Sequence, residues 1–149
     1  MADVKLNAKV EKLDKYFKEN KLDMFALQNV EDAMKTGIFR VNMELKSGEK
    51  LPAAILLDGS VYSLIQVQLG MAAVKGYAKV AKIVNNLNNG LRMFKVTVTD
   101  NGDVLLNAPL IFAEDKFEPV MVHAIVIEIL KFLETNHKVI MDALKAADK

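Results

Sequence analysis

Residues 72–112 read AAVKGYAKVAKIVNNLNNGLRMFKVTVTDNGDVLLNAPLIF, and this stretch joins a helix pattern to two strand patterns. In its first half, apolar side chains recur in alternating steps of four and three residues, which places them on one face of an α-helix. These residues are Ala73, Tyr77, Val80, Val84 and Leu87. The helix is expected to end at Asn88, Asn89 and Gly90, because Asn and Gly readily take the left-handed conformation in which helices commonly terminate.

The second half of the stretch changes to the two-residue period of a half-buried β-strand. Apolar and polar residues alternate from Phe94 to Thr99, and the alternation resumes from Val104 to Phe112. Between these segments, Asp100–Asp103 supplies the residues of a tight hairpin turn. Pro109 has no amide hydrogen to donate, so the second strand is predicted to lie at a sheet edge or to be kinked there. The stretch therefore predicts a helix followed by a β-hairpin.

The composition of the chain favours a single domain, residues 1–149, and indicates no strongly charged partner. Apolar residues make up 52% of the 149 residues and charged residues 26%, so disorder is not expected. The net charge is +1, which gives no field for gathering phosphates, and no nucleic-acid partner is predicted. Cysteine is absent, which excludes disulfides and thiolate chemistry and suits a reducing compartment.

The distribution of apolar residues favours a cytoplasmic protein without a membrane partner. Residues 1–20 mix charged and apolar side chains, so no secretion signal is expected. The longest apolar run, Val120–Leu133, is interrupted by His123, Glu128 and Lys131. It is also shorter than the ~20 apolar residues that a membrane-spanning helix needs.

The N-terminal part of the chain predicts an amphipathic helix that ends near Asn20. Its apolar stripe consists of Leu6, Val10, Leu13 and Phe17. Asp3 is the expected N-cap, and Lys9 and the other lysines are expected to point away from the stripe. A short strand at Met24–Gln28 and a polar connection at Glu31–Thr36 are expected to follow.

Three further strand patterns follow between Phe39 and Leu69. Ser47-Gly48 separates the first two, and Asp58-Gly59 predicts a two-residue hairpin between the second and third. Gly70 is expected to end the third strand. Short turns of this kind join antiparallel neighbours. The predicted order is thus α-β-β-β-β-α-β-β-α, an α+β fold in which an antiparallel sheet packs against helices.

The last long segment predicts a helix that is apolar around its whole circumference. Glu118 and Pro119 mark its start, because proline is favoured at the first helical position. Leaving about half of its large apolar side chains in water would forgo roughly 10 kcal/mol, and a sheet covers only one side of a helix. We therefore expect a homodimer in which this helix is wholly or partly interfacial. The predicted interface residues are Val122, Ile125, Val126, Ile129, Phe132 and Leu133.

No combination of residues predicts a catalytic, cofactor-binding or metal-binding site. His123 lies in the most apolar segment without a partner for acid–base or ligand chemistry, so a half-buried or interfacial structural role is favoured. Glu134 and His137 lie three apart on one helical face, which favours a solvated or capping role over a metal site. The glycine-rich loops that bind nucleotide phosphates are absent.

Two other features each have two interpretations. Lys75, Lys79 and Lys82 form a basic stripe that could bind phosphate or an acidic partner, but the solvated face of an amphipathic helix is favoured. The eight methionines could form an adaptable binding surface, but packing in the core is favoured.

Several short segments between Gly37 and Leu144 resemble the YbjN-like family. They are a strand pair ending in Val61–Leu69, the helix end Ile83–Asn88, the strand Phe94–Val98, the turn segment Asp100–Val104 with a strand leading through Pro109, and the apolar C-terminal helix. Members of this bacterial family are described as sensory transduction regulators and share the type III secretion chaperone-like fold. The resemblance implies a non-enzymatic α+β domain, often a dimer, that binds another protein or peptide, and it implies no catalytic residues.

Two functional hypotheses are compatible with these patterns. The first is a non-enzymatic protein-interaction module, chaperone-like or regulatory, that acts as a homodimer and uses exposed sheet edges and apolar helix surface to hold a client segment. The second is a small-molecule-binding domain, or an enzyme, with a pocket between the sheet and the C-terminal helix near His123. The lack of a nucleophile–base pair or a ligand cluster in the sequence favours the first.

Overall fold

The structure, a computed structural model, describes residues 6–147. These residues form three α-helices and six β-strands, with short 3₁₀ turns at Val74–Gly76 and Glu114–Lys116. The helices are α1 (Ala8–Glu19), α2 (Tyr77–Asn89) and α3 (Pro119–Ala146). The strands are β1 (Ala26–Asn29), β2 (Gly37–Glu44), β3 (Lys50–Leu57), β4 (Tyr62–Met71), β5 (Lys95–Val98) and β6 (Asp103–Ile111).

All six strands belong to one antiparallel sheet with the strand order β1-β2-β3-β4-β6-β5. Strands β1 to β4 are sequential neighbours, whereas β6 pairs with both β4 and β5. Helix α2 therefore carries the chain across β6 to the edge position of β5. The predicted element order and the α+β class with an antiparallel sheet are confirmed.

The three helices contact the same face of the sheet, which we call the inner face. α1 approaches β2 closely, because a Cβ atom on Gly37 would lie 2.5 Å from Val10 Cγ2. α3 contacts β4, with His137 Nε2 2.7 Å from the carbonyl oxygen of Leu69. One apolar core fills the space between the sheet and the helices. Its strand residues include Phe39, Met43, Leu51, Ile55, Leu57, Ile65, Val67, Leu69, Val96, Val104, Leu106, Ala108 and Leu110.

The N-cap of α1 is Asn7, whereas the predicted cap, Asp3, lies outside the described residues. Asn7 Oδ1 accepts a hydrogen bond from Val10 N at 3.0 Å. Its Nδ2 donates to the carbonyl oxygens of Lys35 and Leu57, at 2.8 and 3.2 Å. One side chain thus caps the helix and attaches it to the loop between β1 and β2 and to the last residue of β3.

The connection between β3 and β4 is longer than the predicted two-residue hairpin. Leu57 pairs with Ser63, and Gly59 does not take a positive φ angle. Gly59 N instead donates to the carbonyl oxygen of Met34 at 2.8 Å, and Asp58 Oδ1 accepts from Ser60 N at 2.8 Å. The two-residue signal was wrong because Gly59 binds the loop between β1 and β2, while Asp58 and Ser60 bind each other within a longer connection.

Two predictions about strand ends need correction. Gly70 does not end β4, which continues to Met71; it lies at a register shift, where a Cβ atom would lie 2.7 Å from Met141 Cε. Of the two alternatives predicted for the strand of Pro109, an edge position or a kink, the edge position is wrong for β6 as a whole, but β5 pairs only with its residues 104–107. Pro109 lies beyond that pairing, opposite Leu64, so its missing amide falls where the neighbouring strand is absent.

The predicted helix around Val80 begins later and ends differently than expected. A 3₁₀ turn occupies Val74–Gly76, so α2 starts at Tyr77. Of the predicted stripe, Val80 is buried, whereas Tyr77 is 52% exposed. The helix ends at Asn89 as predicted, but Gly90 has φ −89° and not a left-handed conformation.

Candidate functional site

The six predicted interface residues of α3 occupy two different environments. Val122, Ile129 and Leu133 are fully buried in the core, so they form no part of the surface of the single chain. Ile125, Val126 and Phe132 are half-buried and pack against the core. Helices α1 and α2 both contact α3 in addition to the sheet. They cover more of its circumference than a sheet face alone would cover.

The N-terminal half of α3 keeps an exposed apolar strip, which we call the helix strip. It consists of Val120, Met121, Ala124 and Ile127. Val120 is 61% exposed and Ile127 is 41% exposed. The strip ends at the exposed ion pair of Glu128 and Lys131, whose charged atoms are 3.0 Å apart. It is therefore narrow and about two helical turns long.

The face of the sheet opposite the helices, which we call the outer face, carries an apolar row across four strands. The strand register aligns its members side by side: Ile38, Leu56, Leu64 and Pro109. Tyr62 and Ile111 form a pair beside this row and are 66% and 73% exposed. Because the helices contact the inner face, these apolar side chains face outward from the fold.

Charged side chains lie only around the margin of this apolar region on the outer face of the described strands. They are Arg40, Glu44, Lys50, Lys95 and Asp103. Arg40 binds Gln28 of the short strand β1, with 3.0 Å between Nε and Oε1. Next to the apolar row, Gln66 Nε2 donates to Asn107 Oδ1 at 2.8 Å. The centre of the outer face is thus neutral.

A side chain of α2 covers the free edge of the sheet at Val96 of β5. Asn88 Oδ1 accepts from Val96 N at 2.8 Å, and Asn88 Nδ2 donates to Val96 O at 2.9 Å. An added β-strand would use these same backbone groups. The opposite edge strand, β1, has four residues. The geometry therefore favours the faces of the fold over its edges as binding surfaces.

His123 is half-buried, which is the position predicted for it. Its Nδ1 atom lies 2.8 Å from the hydroxyl oxygen of Tyr16, and the two rings meet edge to face with 5.6 Å between their centroids. The contact joins α3 to α1.

The cleft between the sheet and α3 lies beside His137 and not beside His123. Its volume is about 620 Å³. The floor is apolar and includes Leu45, Leu69, Leu133 and Met141, and the rim carries both charge signs on Glu49, Glu134, Lys138, Asp142 and Lys145. Lys138 Nζ lies 2.6 Å from Asp142 Oδ2, and this contact raises the pKa of Lys138 and lowers that of Asp142.

His137 is buried, so of the two roles predicted for it, solvated or capping, the solvated one is wrong. Its Nε2 donates to the carbonyl oxygen of Leu69 at 2.7 Å, because a carbonyl can only accept. Its Nδ1 faces the carboxylate of Glu49 at 3.4 Å. The carboxylate of Glu134 is directed elsewhere and forms no shared ligand site with this ring. It accepts a hydrogen bond from Lys46 N at 2.8 Å. The ring therefore links α3 to the end of β4.

Lys9 is fully buried, contrary to its predicted position away from the apolar stripe. Its ammonium group donates to the carbonyl oxygens of Ser60 and Tyr62 and to Ser63 Oγ, at 2.7, 3.1 and 2.9 Å. Burial lowers the pKa of Lys9, while the carboxylates of Asp58 and Glu114 act in the opposite direction. Periodicity could not reveal this site, because the three acceptors lie 51 to 54 residues away, in the connection from β3 to β4 and at the start of β4.

The lysines of the predicted basic stripe are exposed, whereas the methionines are divided between the core and the surface. Lys75, Lys79 and Lys82 are exposed, but only Lys79 and Lys82 lie on α2, because Lys75 belongs to the preceding 3₁₀ turn. Of the seven described methionines, only Met43 and Met141 are buried in the core. The core interpretation is therefore wrong for the exposed ones, which are Met24, Met34, Met71, Met93 and Met121. Met121 belongs to the helix strip.

Three further features bear on function: metal binding, membrane insertion and similarity to known proteins. Within residues 6–147, no group of three or more His, Asp or Glu side chains could hold a metal ion. In the same residues, no helix combines the length and apolar content required to cross a membrane. Comparison with protein-family models finds no match for this chain, and comparison with curated proteins finds none either.

Proposed function

We propose that this chain is a non-enzymatic protein-interaction module, chaperone-like or regulatory, that acts in the cytoplasm as a homodimer and binds a segment of another protein. The observation that carries the proposal is the apolar, neutral centre of the outer face. In this region Ile38, Leu56 and Leu64 are half-buried, and the remaining members, Pro109, Tyr62 and Ile111, are exposed. Contiguous apolar surface of this kind marks interaction sites in folded proteins. Depletion of charge at the centre, with polar and charged groups at the rim, is also the composition of protein interfaces.

The helix strip supplies a second, separate surface for a partner. Val120, Ala124 and Ile127 repeat at the spacing with which one helix inserts into a groove of another protein. Met121, 45% exposed beside them, is flexible and polarisable, which suits contact with variable side chains. Two surfaces allow self-association and client binding to occur together.

The order of elements is also the order that the resemblance to the YbjN-like family implies. Within the proposal, the chain has that family's type III secretion chaperone-like architecture and belongs to its bacterial regulators. This part of the proposal rests on the short segments named above and on the α+β order, and it adds no catalytic residue.

A small-molecule-binding function is the second candidate, because the cleft beside His137 has a volume typical of ligand sites. The polar groups around it already bind each other: His137 faces Leu69 and Glu49, and Lys138 pairs with Asp142. Every buried side-chain N or O atom among the described residues has a hydrogen-bond partner. This arrangement offers no orphaned polar atom to a ligand, so it supports the interaction module more strongly.

The proposal is tested by quantitative affinity purification with four baits: the unmodified chain, Leu64→Lys on the outer face, Ile127→Lys on the helix strip, and Val139→Lys. Val139 is 66% exposed on α3 but belongs to neither surface, so it is the matched control. We expect one protein that the unmodified and Val139→Lys baits retain and that a surface variant loses, and whose purified form binds directly. If folded variants all retain the same proteins, or native mass spectrometry finds a metabolite in the cleft, the second candidate replaces the first.

A further inference from the structure

We infer that a second copy of this chain packs on the outer face, sheet against sheet, about a two-fold axis that runs across the strands along the apolar row. This inference rests on the proposed function, because it assigns the homodimer contact to a particular surface. It moves that contact from α3, where the sequence placed it, to the sheet. The helix strip then stays free for a client.

The shape of the outer face favours another sheet as its occupant. Two sheets pack face to face about 10 Å apart, with side chains of alternate residues meeting between them. The four strands β2, β3, β4 and β6 present such residues in register, with Leu56 opposite Ile38 and Leu64 opposite Pro109. An aligned row can stack on its own copy, which is the isologous contact of a two-fold dimer.

The positions of the charges decide which part of the face is shared. Tyr62 and Ile111 lie at one end of the strands, whereas Glu44 and Lys50 pair at the other end. An axis along the apolar row overlaps the neutral ends of the two copies. It leaves Glu44, Lys50 and Asp103 outside the contact. Arg40, two residues from Ile38 on β2, lies beside the row and keeps Gln28 Oε1 as a hydrogen-bond partner at 3.0 Å, so its charge is not buried without a partner.

The size of the shared area sets the expected strength. Four strands about 4.8 Å apart, with about six residues of ~3.3 Å on each, give a footprint of roughly 400 Å² per copy. A standard interface buries about 800 Å² of accessible surface per partner. The dimer is therefore expected to be reversible, with a Kd on the order of micromolar.

The first test is sedimentation equilibrium of the purified chain over a range of concentrations, with two outer-face variants, Leu64→Lys and Ile111→Lys. Ile111 is 73% exposed, so its substitution leaves the fold intact even if Leu64→Lys unfolds the chain. We expect the unmodified chain to dimerise and both variants to raise the Kd by at least about 100-fold. Ile127→Lys and Val139→Lys should leave the Kd unchanged.

Two outcomes overturn the inference in distinguishable ways. A dimer that survives in folded Leu64→Lys and Ile111→Lys but dissociates in Ile127→Lys places the contact on α3, so the homodimer stands and this assignment fails. An unmodified chain that stays monomeric at all concentrations removes the homodimer as well. The affinity purification then tests client binding independently of the homodimer.

Cross-linking provides a positive signal that does not depend on disrupting the contact. The chain contains no cysteine, so a single introduced thiol reports on one position. Leu64→Cys lies on the proposed axis, and a bis-maleimide that spans about the 10 Å between packed sheets should link two copies. Val139→Cys, exposed on α3, should give no dimer under the same conditions; equal cross-linking at both positions contradicts the assignment.

Discussion

The ammonium group of Lys9 lies 2.9 Å from Ser63 Oγ, and both residues are buried on the inner face of the sheet. The same group donates to the carbonyl oxygens of Ser60 and Tyr62. Three donors thus meet three acceptors, one in the connection from β3 to β4 and two at the start of β4. The contact fixes α1 over that connection, at the cost of burying a charge.

We expect Lys9→Met to lower the free energy of unfolding by about 2–4 kcal/mol, because it leaves two backbone carbonyls and a hydroxyl without donors. Lys12→Met is the matched control. It is the same substitution on the same helix, at an exposed residue that donates to Glu114 O at 2.8 Å, and should change stability by less than about 0.5 kcal/mol. Urea unfolding measures both. A Lys9→Met variant as stable as the unmodified chain would show that desolvation of the ammonium outweighs its hydrogen bonds.

Strands β2, β4, β5 and β6 were predictable because each alternates one inward face with one outward face, so local spacing contains the information. The inner residues Ile65, Val67 and Leu69 of β4 are buried as their alternation indicates. Lys9 and His137 were not predictable from spacing. Their partners lie 54 and 68 residues away, at Ser63 and Leu69, and only the folded topology brings them together.

The hairpin between β5 and β6 depends on a glycine for two separate reasons. Gly102 has φ +90°, and a Cβ atom there would overlap the carbonyl oxygen of Ala72. Gly48 has φ +89° with nothing within 4 Å of the same position. Gly48→Ala should lower the free energy of unfolding by about 1–2 kcal/mol through backbone strain alone. Gly102→Ala should lower the free energy of unfolding by about 2 kcal/mol more than Gly48→Ala does, because the turn must also move away from Ala72. Equal losses in chemical denaturation would show that the close approach has no energetic consequence.

The amide of Asn88 protects the edge of β5, and its removal should have two effects. Asn88→Ala should lower stability by about 1–3 kcal/mol, because Val96 loses both of its side-chain partners. It should also increase concentration-dependent association through the freed edge, measured by light scattering. Asn89→Ala, at the exposed last residue of α2, makes the same chemical change without touching Val96. Identical behaviour of the two variants would contradict the protective role.

The apolar row on the outer face was also not predictable from the sequence, but the reason differs from the one that applies to the contacts of Lys9. Ile38 and Leu64 each appear as single apolar residues at outward positions of their own strands, where an isolated apolar side chain is ordinary. Only the register, which pairs Ile38 with Leu56 and Leu64 with Pro109, turns them into a continuous row. By contrast, the all-round apolar character of α3 was visible in the sequence. What the sequence could not show is that α1 and α2 help to cover that helix.

The loop between β1 and β2 contains a carboxylate whose hydrogen bonds make stability depend on pH. Asp32 accepts from Thr36 N at 2.9 Å and from Thr36 Oγ1 at 2.7 Å, and these bonds lower its pKa below the ordinary 3.8. A lowered folded-state pKa means that the unfolded chain binds more protons in this range. The contribution of Asp32 is therefore complete above pH 3.8 and is lost as the pH falls through the lowered folded-state value.

Asp32→Asn should therefore be less stable than the unmodified chain near neutral pH, and the difference should shrink in strong acid. Urea midpoints of both proteins, measured from about pH 6 down to about pH 2, give this difference directly. Asp23→Asn, at an exposed residue before β1, is the matched control for the removed charge. A difference between Asp32→Asn and the unmodified chain that stays constant through the acid range, or that Asp23→Asn reproduces, would assign the effect to net charge. A difference confined to Asp32 and lost below pH 3.8 would assign it to the hydrogen bonds from Thr36, because only these bonds require the ionised carboxylate.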